Sequence, residues 1–477
     1  MSPSDSDWIK RALDPVATAP GTETSSRGNA VTDLFAKYDV PAPRYTSYPT
    51  VPFWTDSPTT DQWLDHLNKA FVDEAATWSL YFHLPFCESL CTFCACNTVI
   101  TRDHGREEGY VDLLSTEWNL YLDRVPALIK RSLLGVHLGG GTPTFFAKEN
   151  LERILKPILS KAEIDRDRFE ASVEVHPGHT TREQLVMLHD LGFTRISIGV
   201  QDFDPEVQGL VNRHQPYEVT KSVTDIAREL GYTSVNYDLI YGLPRQNPDR
   251  FRDTVRKTIE LHPDRIALYS FARVPWIKPA QRSYKDEDLP VAGEKRALYE
   301  LAREMLADAG YIEIGMDHFA LPHDGMAEAQ RKHTLHRNFQ GYTETRTTVL
   351  LGLGVSAISE TPTCFHQNEK AFPVYERRVR NGEIPTLRGH VLSEEDRKLR
   401  EQVLQFMTRF KVGLEPEQRE DVRVFLQTMI DDGLVELEDG TLRLTEKGTP
   451  FLRNACMFFD KRLRSQDQRP QVFSQAL

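Results

Sequence analysis

The stretch Tyr81-Phe-His-Leu-Pro-Phe-Cys87-Glu-Ser-Leu-Cys91-Thr-Phe-Cys94-Ala-Cys96-Asn97 puts four cysteines within ten positions. It follows a short apolar run, Leu80–His83, that reads as a strand. The cysteines therefore sit on a loop at the C-terminal end of that strand, where active sites of α/β barrels are built. The chain has six cysteines, and Cys364 and Cys456 are isolated. Disulfide frameworks belong to small exported domains, so four clustered thiols in a long chain point to metal or redox chemistry in a reducing compartment.

Thiolates are the usual ligands of iron–sulfur clusters. Spacings of three and two residues let one loop reach three corners of a cubane through Cys87, Cys91 and Cys94. The fourth iron then keeps open positions, able to chelate the amino and carboxylate groups of S-adenosylmethionine (SAM). A zinc site is the competing reading. Structural zinc usually joins two distant ligand pairs, and no second Cys/His pair follows. Cys96 stands one residue from Cys94, an awkward spacing for joint ligation, and reads as a free thiol near the substrate.

Moving outward, further strand-like runs occur near Leu134–Leu138, Ala171–His176, Arg195–Val200, Ser234–Tyr241 and Arg265–Ser270. Helical patterns over Tyr110–Arg124, Glu183–Asp190, Glu218–Leu230 and Arg250–Leu261 separate most of them. Alternating strands and helices predict an α/β fold with parallel βαβ units: a partial or complete (β/α) barrel, with an open doubly wound sheet as alternative. The pattern changes after about Ile384. Ser393–Phe410 reads as a helix with Ser393 as N-cap and Asp396 at the capping-box position. A second helix spans Glu417–Asp431, and Leu434–Leu437 and Thr441–Leu444 flank a hairpin turn. A last helix is predicted from Thr449 to about Arg464. The expected organisation is a polar disordered tail (1–30), an N-terminal extension (31–75), a barrel domain (76–385) and a mainly helical, winged-helix-like C-terminal domain (386–477).

Apolar residues make up 40% of the 477-residue chain, enough for a sizeable core. The formal net charge is −12, which argues against a nucleic-acid binder. The predicted wing carries Glu436, Glu438 and Asp439, which repel phosphates. Basic runs such as Lys461-Arg462 read as solvated helix faces. No apolar run is long enough to span a membrane, and the N-terminus lacks the apolar centre of a secretory signal. A cytoplasmic location is the expectation.

Other residues point at the same rim. Gly139-Gly140-Gly141-Thr142-Pro143 follows the second strand and fits neither a P-loop nor a dinucleotide fingerprint. Its glycines let backbone approach a ligand closely. Glu174, Gln201 and Asp238 lie in or just after strands, where they converge on one site. Glu174 and Asp238 suit a ribose or an ammonium group, and Arg213 suits a carboxylate. His336–Tyr342 and the small-residue run Leu351–Ile358 read as a ligand wall.

These motifs together resemble the radical SAM superfamily, and within it the oxygen-independent coproporphyrinogen III oxidases. The resemblance rests on the Cys loop with Cys96, Gly139–Pro143, Pro43-Arg-Tyr-Thr-Ser-Tyr-Pro-Thr50, Gly199–Phe203, Val211–Arg213, Asp238–Pro244, Gly315–Phe319, His336–Tyr342 and Arg453–Met457. It implies a radical SAM barrel in which a [4Fe-4S] cluster splits SAM. The resulting 5′-deoxyadenosyl radical takes hydrogen from a propionate β-carbon. Loss of CO2 and an electron leaves a vinyl group, and two rounds turn coproporphyrinogen III into protoporphyrinogen IX in haem synthesis. The resemblance makes Cys87, Cys91 and Cys94 the cluster ligands. It places Tyr81, Gly140, Glu174 and Ile358 against the cluster-bound SAM. Phe93, Gly141, Thr142, Gln201, Arg213, Asp238 and Ala272 fall around a second SAM. Arg44, Tyr45, Cys96 and Arg337 become substrate candidates. An electron donor, an electron acceptor and a monomeric state are further expectations.

The family often reads Glu-Val-Asp-Pro-Arg where this chain has Glu174-Val-His176-Pro-Gly178. Competing functions on a similar fold are a haem-trafficking protein and a haem-opening radical SAM methyltransferase. The Pro-Arg-Tyr-Thr-Ser-Tyr-Pro segment and Cys96 favour the decarboxylating enzyme over the first. A DNA-binding iron–sulfur regulator fits the charge least.

Overall fold

The chain enters through helix α1 (Thr60–Ala70), capped by Thr59 and Gln62, which buries Trp63, Leu64 and Leu67. The computed structural model describes residues 34, 35, 37–465 and 473, so the tail expected over 1–30 lies outside it. All six predicted strand runs form: β1 (Trp78–Leu84), β2 (Ser132–Gly140), β3 (Glu170–Val175), β4 (Phe193–Gln201), β5 (Ser234–Tyr241) and β6 (Arg265–Ser270). They pair in parallel and in chain order. Helices α2 (Arg106–Arg124), α3 (Lys148–Leu159), α4 (Arg182–Asp190), α5 (Tyr217–Leu230) and α6 (Pro248–Leu261) provide the crossovers.

The period-2 alternation of these strands separates two chemistries. One face carries Val136, Leu138, Val173, Ile196, Ile198, Val235, Leu239, Ile266 and Leu268, all buried in one core with the helices. Each such side chain contributes roughly 1.5–3 kcal/mol on burial. The alternate positions are Tyr81, His137, Ser172, Glu174, Ser197, Asn236, Asp238 and Tyr269, and these are only partly buried. Parallel sheets usually bury apolar side chains on both faces. A polar second face marks a ligand cavity rather than a packed core.

The sheet continues beyond β1 with parallel β9 (Val349–Leu353), then antiparallel β10 (Ile358–Thr361), β11 (Cys364–Asn368) and β12 (Thr386–Val391). Beyond β6 it ends in antiparallel β8 (His318–Ala320) and β7 (Ile312–Gly315). No pairing joins the two ends among the described residues. Of the expected forms the structure is the partial barrel: its ends are unjoined, and its six strands pair in chain order without the reversal of a doubly wound sheet. The antiparallel strands at both ends occupy the edges that closure would need.

After β12, Ser393 and Asp396 form the predicted capping box of α7 (Glu394–Arg409). Helix α8 (Gln418–Asp431) follows. β13 (Lys411–Gly413), β14 (Val435–Glu438) and β15 (Thr441–Leu444) make a small antiparallel sheet. Asp439 and Gly440 both have positive φ (48° and 74°), the geometry of a two-residue hairpin turn. The single helix expected over Thr449–Arg464 is corrected. The stretch splits into a 3₁₀ turn (Thr449–Phe451), α9 (Leu452–Cys456) and α10 (Lys461–Arg464). Every residue from Phe451 to Asp460 is buried, which a straight helix with one apolar stripe does not achieve. Asp460 starts the last piece by accepting from the Leu463 amide at 3.0 Å.

The N-terminal extension packs on this region. Tyr38, Tyr45 and Tyr48 share an apolar cluster with Val403, Phe406 and Phe459. Arg453 donates to the carbonyls of Ala42 and Pro43, and Asn454 Nδ2 donates to the Tyr38 carbonyl at 2.8 Å.

Candidate active site

The cysteine loop leaves β1 through Pro85 and is tied down on several sides. The Gly141 and Thr142 amides donate to the Leu84 and Phe86 carbonyls at 2.8 and 2.9 Å. A Cβ on Gly141 would lie 2.6 Å from the Pro85 carbonyl, so only glycine permits this approach. The Thr92 amide donates to the Val211 carbonyl, and Asn212 Nδ2 donates to the Leu90 carbonyl. Glu88, inside the loop, reaches His179 at 3.2 Å and His104 at 3.5 Å.

Two donors face the sulfurs. Thr142 Oγ1 lies 3.3 Å from Cys87 Sγ, and Arg213 Nη1 lies 3.7 Å from Cys91 Sγ. Donors of this kind stabilise thiolates and tune iron–sulfur clusters. Among the described residues no group of three ligating side chains is gathered around one point for a single ion. A cubane needs no such convergence, because each thiolate meets its own iron. Three loop thiols with sulfur-directed donors suit such a cluster. Burial pushes the Cys87 thiol up to about 11. The Cys94 thiol is lowered below its ordinary range, first by the neighbouring Cys96 thiol.

Beside the loop stands a carboxylate that is already partnered. Glu174 accepts from the Gly140 amide at 3.1 Å and meets His137 Nε2 at 3.2 Å, whose Nδ1 meets Ser172 Oγ at 2.7 Å. Burial works against the Glu174 charge, yet His137, the Gly140 amide and His83 together hold the carboxyl below its ordinary range. Tyr81 stacks on His137, and its hydroxyl meets His83 Nδ1 at 2.9 Å. One strand pair further, Asp238 accepts from Ser197 Oγ and Asn236 Nδ2, each at 3.0 Å. Burial, then the nearby Glu174 charge, raises Asp238 to about 6.

Tyr81, Gly140, Gly141, Thr142, Glu174, Gln201, Arg213 and Asp238 thus meet at the C-terminal ends of β1–β5. Phe93 packs with Val207, Val211 and Phe271 beside the loop. The Ala272 carbonyl, just beyond β6, accepts from Gln281 Nε2 at 3.0 Å. Ile358 opens β10 and packs on Trp54 and Phe365. Arg44 and Arg337 lie together in a second group beyond β6. Tyr45 is directed into the C-terminal apolar cluster rather than towards the rim. His83, His137 and Glu88 were not singled out in the sequence. The two histidines were visible as inward positions of predicted strands, in step with Tyr81 and Gly139.

Comparison with known proteins gives a consistent result. The radical SAM superfamily pattern matches residues 81–258. The oxygen-independent coproporphyrinogen III oxidase of Escherichia coli K12 is 39% identical over 460 residues, covering 93% of this chain and 98% of that protein. The chain belongs to the oxygen-independent coproporphyrinogen III oxidase family. The enzyme of that name from Pseudomonas aeruginosa is also 39% identical, covering 91% of this chain and 96% of its own. The solved E. coli coproporphyrinogen III oxidase, described as a radical SAM enzyme, superposes with a TM-score of 0.83 at 38% identity. That match covers 88% of this chain and 98% of the other.

Within that family the His176-Pro-Gly178 departure has a local structural account. His176 Nδ1 accepts from the Gly178 amide at 3.1 Å, and a Cβ at position 178 would stand 3.2 Å from the ring. Burial, with Arg213 and His179 adding, drives His176 down to about 2, so it is neutral. A neutral ring therefore backs Arg213 where the family often has a carboxylate.

Proposed function

We propose that this chain decarboxylates two propionates of coproporphyrinogen III to vinyl groups without oxygen, giving protoporphyrinogen IX. The observation that carries the reading is the cysteine loop with its sulfur-directed donors, in a chain that matches the named E. coli oxidase over 93% of its length. When bound, a [4Fe-4S] cluster and SAM supply one-electron reduction and hydrogen abstraction at the propionate β-carbon.

In this reading Cys87, Cys91 and Cys94 hold the cluster. Glu174, kept anionic by His137 and the Gly140 amide, receives a cationic or hydroxyl group of SAM, with Tyr81 and Ile358 alongside. Gly140 and Gly141 let the ligand lie against backbone. Phe93, Thr142, Gln201, Arg213, Asp238 and Ala272 line a second SAM position. Cys96, exposed at the mouth, faces the substrate side. Residues 76–385 carry the chemistry, and the described parts of 31–75 and 386–477 cover the open end of the sheet. An external electron donor, an electron acceptor and a monomeric state complete the proposal. No helix among the described residues is long and apolar enough to cross a membrane.

The test is an anaerobic assay with reconstituted protein, SAM, a strong reductant, coproporphyrinogen III and an electron acceptor. Protoporphyrinogen IX with matching 5′-deoxyadenosine is expected. A cluster-loaded sample that binds haem and forms no such product would favour a trafficking role instead.

A further inference from the structure

Beyond β6 lies a set of cations that the cluster and SAM do not use. His318, on β8, is the register partner of Ala267, which is the partner of Asp238. Two strand spacings place His318 roughly 10 Å from Asp238 on the same face. Its ring lies edge-on between Tyr269 (6.0 Å, 88°) and Tyr342 (5.3 Å, 84°). Arg44 covers Tyr269 at 5.5 Å, and Arg337 covers Tyr342 at 4.6 Å. Two guanidiniums thus flank one imidazole in an aromatic box.

The Arg337 side of the box lacks an anion among the described residues. Arg337 is only 7% exposed, and among the described residues its one hydrogen bond runs from Nη2 to the Arg44 carbonyl at 3.2 Å. Its Nε and Nη1 are buried without a partner, and so is His318 Nδ1. Arg44 has an acid, Asp317, but no acid among the described residues pairs with Arg337. Buried guanidinium donors are normally matched, because an unpaired buried charge is strongly unfavourable. The missing partner is a planar acceptor, and carboxylate fits the guanidinium fork. Arg44, whose side chain is 34% exposed, marks the open side of the box.

We propose that Arg337, Arg44 and His318 seat a substrate propionate that survives both rounds of decarboxylation. This rests on the function proposed above. Coproporphyrinogen III carries four propionates, of which two react. A carboxylate lost as CO2 would leave Arg337 unpaired again within each turnover. One that persists keeps Arg337 matched throughout. Tyr269 separates the box from Asp238 and Glu174, close enough to both sets for their charges to act on its phenol. A macrocycle spanning the two sets would hold the carboxylate in the box on the side away from the reacting carbon. Arg337, Arg44 and His318 are positioning residues in this scheme.

The test uses the anaerobically prepared full chain and coproporphyrin III, the fluorescent oxidised form of the substrate, with its tetramethyl ester as the uncharged probe. Wild type is expected to bind the acid at least tenfold tighter than the ester. Arg337→Gln weakens the acid tenfold or more, leaves the ester unchanged, and raises KM for coproporphyrinogen III more than it lowers kcat. Arg337→Lys restores part of the loss. A cluster-loaded Arg337→Gln protein that binds the acid as wild type does would overturn the proposal. If that variant does not load cluster, Arg44→Gln carries the same comparison, and unchanged binding of the acid there overturns it too. Carboxylate-dependent binding by a wild type that makes no protoporphyrinogen would sink the proposed function and leave the box standing. Normal turnover with an unchanged KM in Arg337→Gln would do the reverse.

Discussion

Arg213 Nη1 stands 3.7 Å from the Cys91 sulfur while its Nη2 donates to the Gly199 carbonyl, so one guanidinium ties the cysteine loop to the end of β4. Hydrogen bonds to charged groups contribute about 1.5–3 kcal/mol. Arg213→Met is expected to load iron and then lose it to a chelator on the order of tenfold to a hundredfold faster. Iron and sulfide content followed over time measures this. An unchanged loss rate would show that the contact does not hold the loop.

Asp238 and Glu174 are expected to respond to pH in opposite senses. Asp238 has a folded value raised to about 6, so its stabilising share is present below the unfolded value of about 3.9 and is lost as pH rises through 6. Asp238→Asn should therefore melt higher than wild type above pH 7, by on the order of 1–3 kcal/mol, with no gain near pH 4. Glu174 is lowered, so its share is present above about 4.3 and is lost as pH falls through its folded value. Glu174→Gln should show no acid-side loss of this kind. Thermal melts across pH without added SAM read both.

Two glycines give opposite results on substitution. Gly141→Ala drives a Cβ into the Pro85 and Leu84 backbone, so the loop must move and cluster loading should fall sharply. Gly109 lies inside α2 with nothing within 4 Å of its ideal Cβ. Gly109→Ala should stabilise the chain by about 0.5–1 kcal/mol. Iron content and melting temperature together separate the two.

Glu117 is fully buried on α2, where it accepts from the Gly354 amide, Asn368 Nδ2 and the Tyr375 hydroxyl. Burial raises it to about 7 despite these bonds. Glu117→Leu leaves three donors without their acceptor, so a loss on the order of 3–5 kcal/mol is expected. Denaturant unfolding measures it. A loss under about 1 kcal/mol would mean that the loop after β9 finds other partners.

The strands were legible because short apolar runs such as Ser234–Tyr241 and Arg265–Ser270, set between helical patterns, have few competing readings, and their boundaries coincide with the structure. Glu174, Gln201 and Asp238 were legible because a polar residue in a parallel strand contradicts a packed core. Other features carried no local signal. His336–Asn338 is a strand of three polar residues, stabilised by its hairpin partner Gly341–Thr343 rather than by propensity. Helix α1 was hidden in a segment rich in turn residues. The break between α9 and α10 is imposed by burial on all sides, which helical periodicity does not encode. The link from Glu88 to His179 joins residues far apart in sequence, and only the fold brings them together.

The most direct measurement is iron uptake after anaerobic reconstitution in four single variants, with the electron paramagnetic resonance spectrum of the reduced protein recorded before and after SAM. Wild type and Cys96→Ser should take up about four irons per chain, and their spectra should change on adding SAM. Cys87→Ser, Cys91→Ser and Cys94→Ser should each lose the cluster or the response. A full cluster and an intact SAM response in any of those three, or loss of both in Cys96→Ser, would contradict the account.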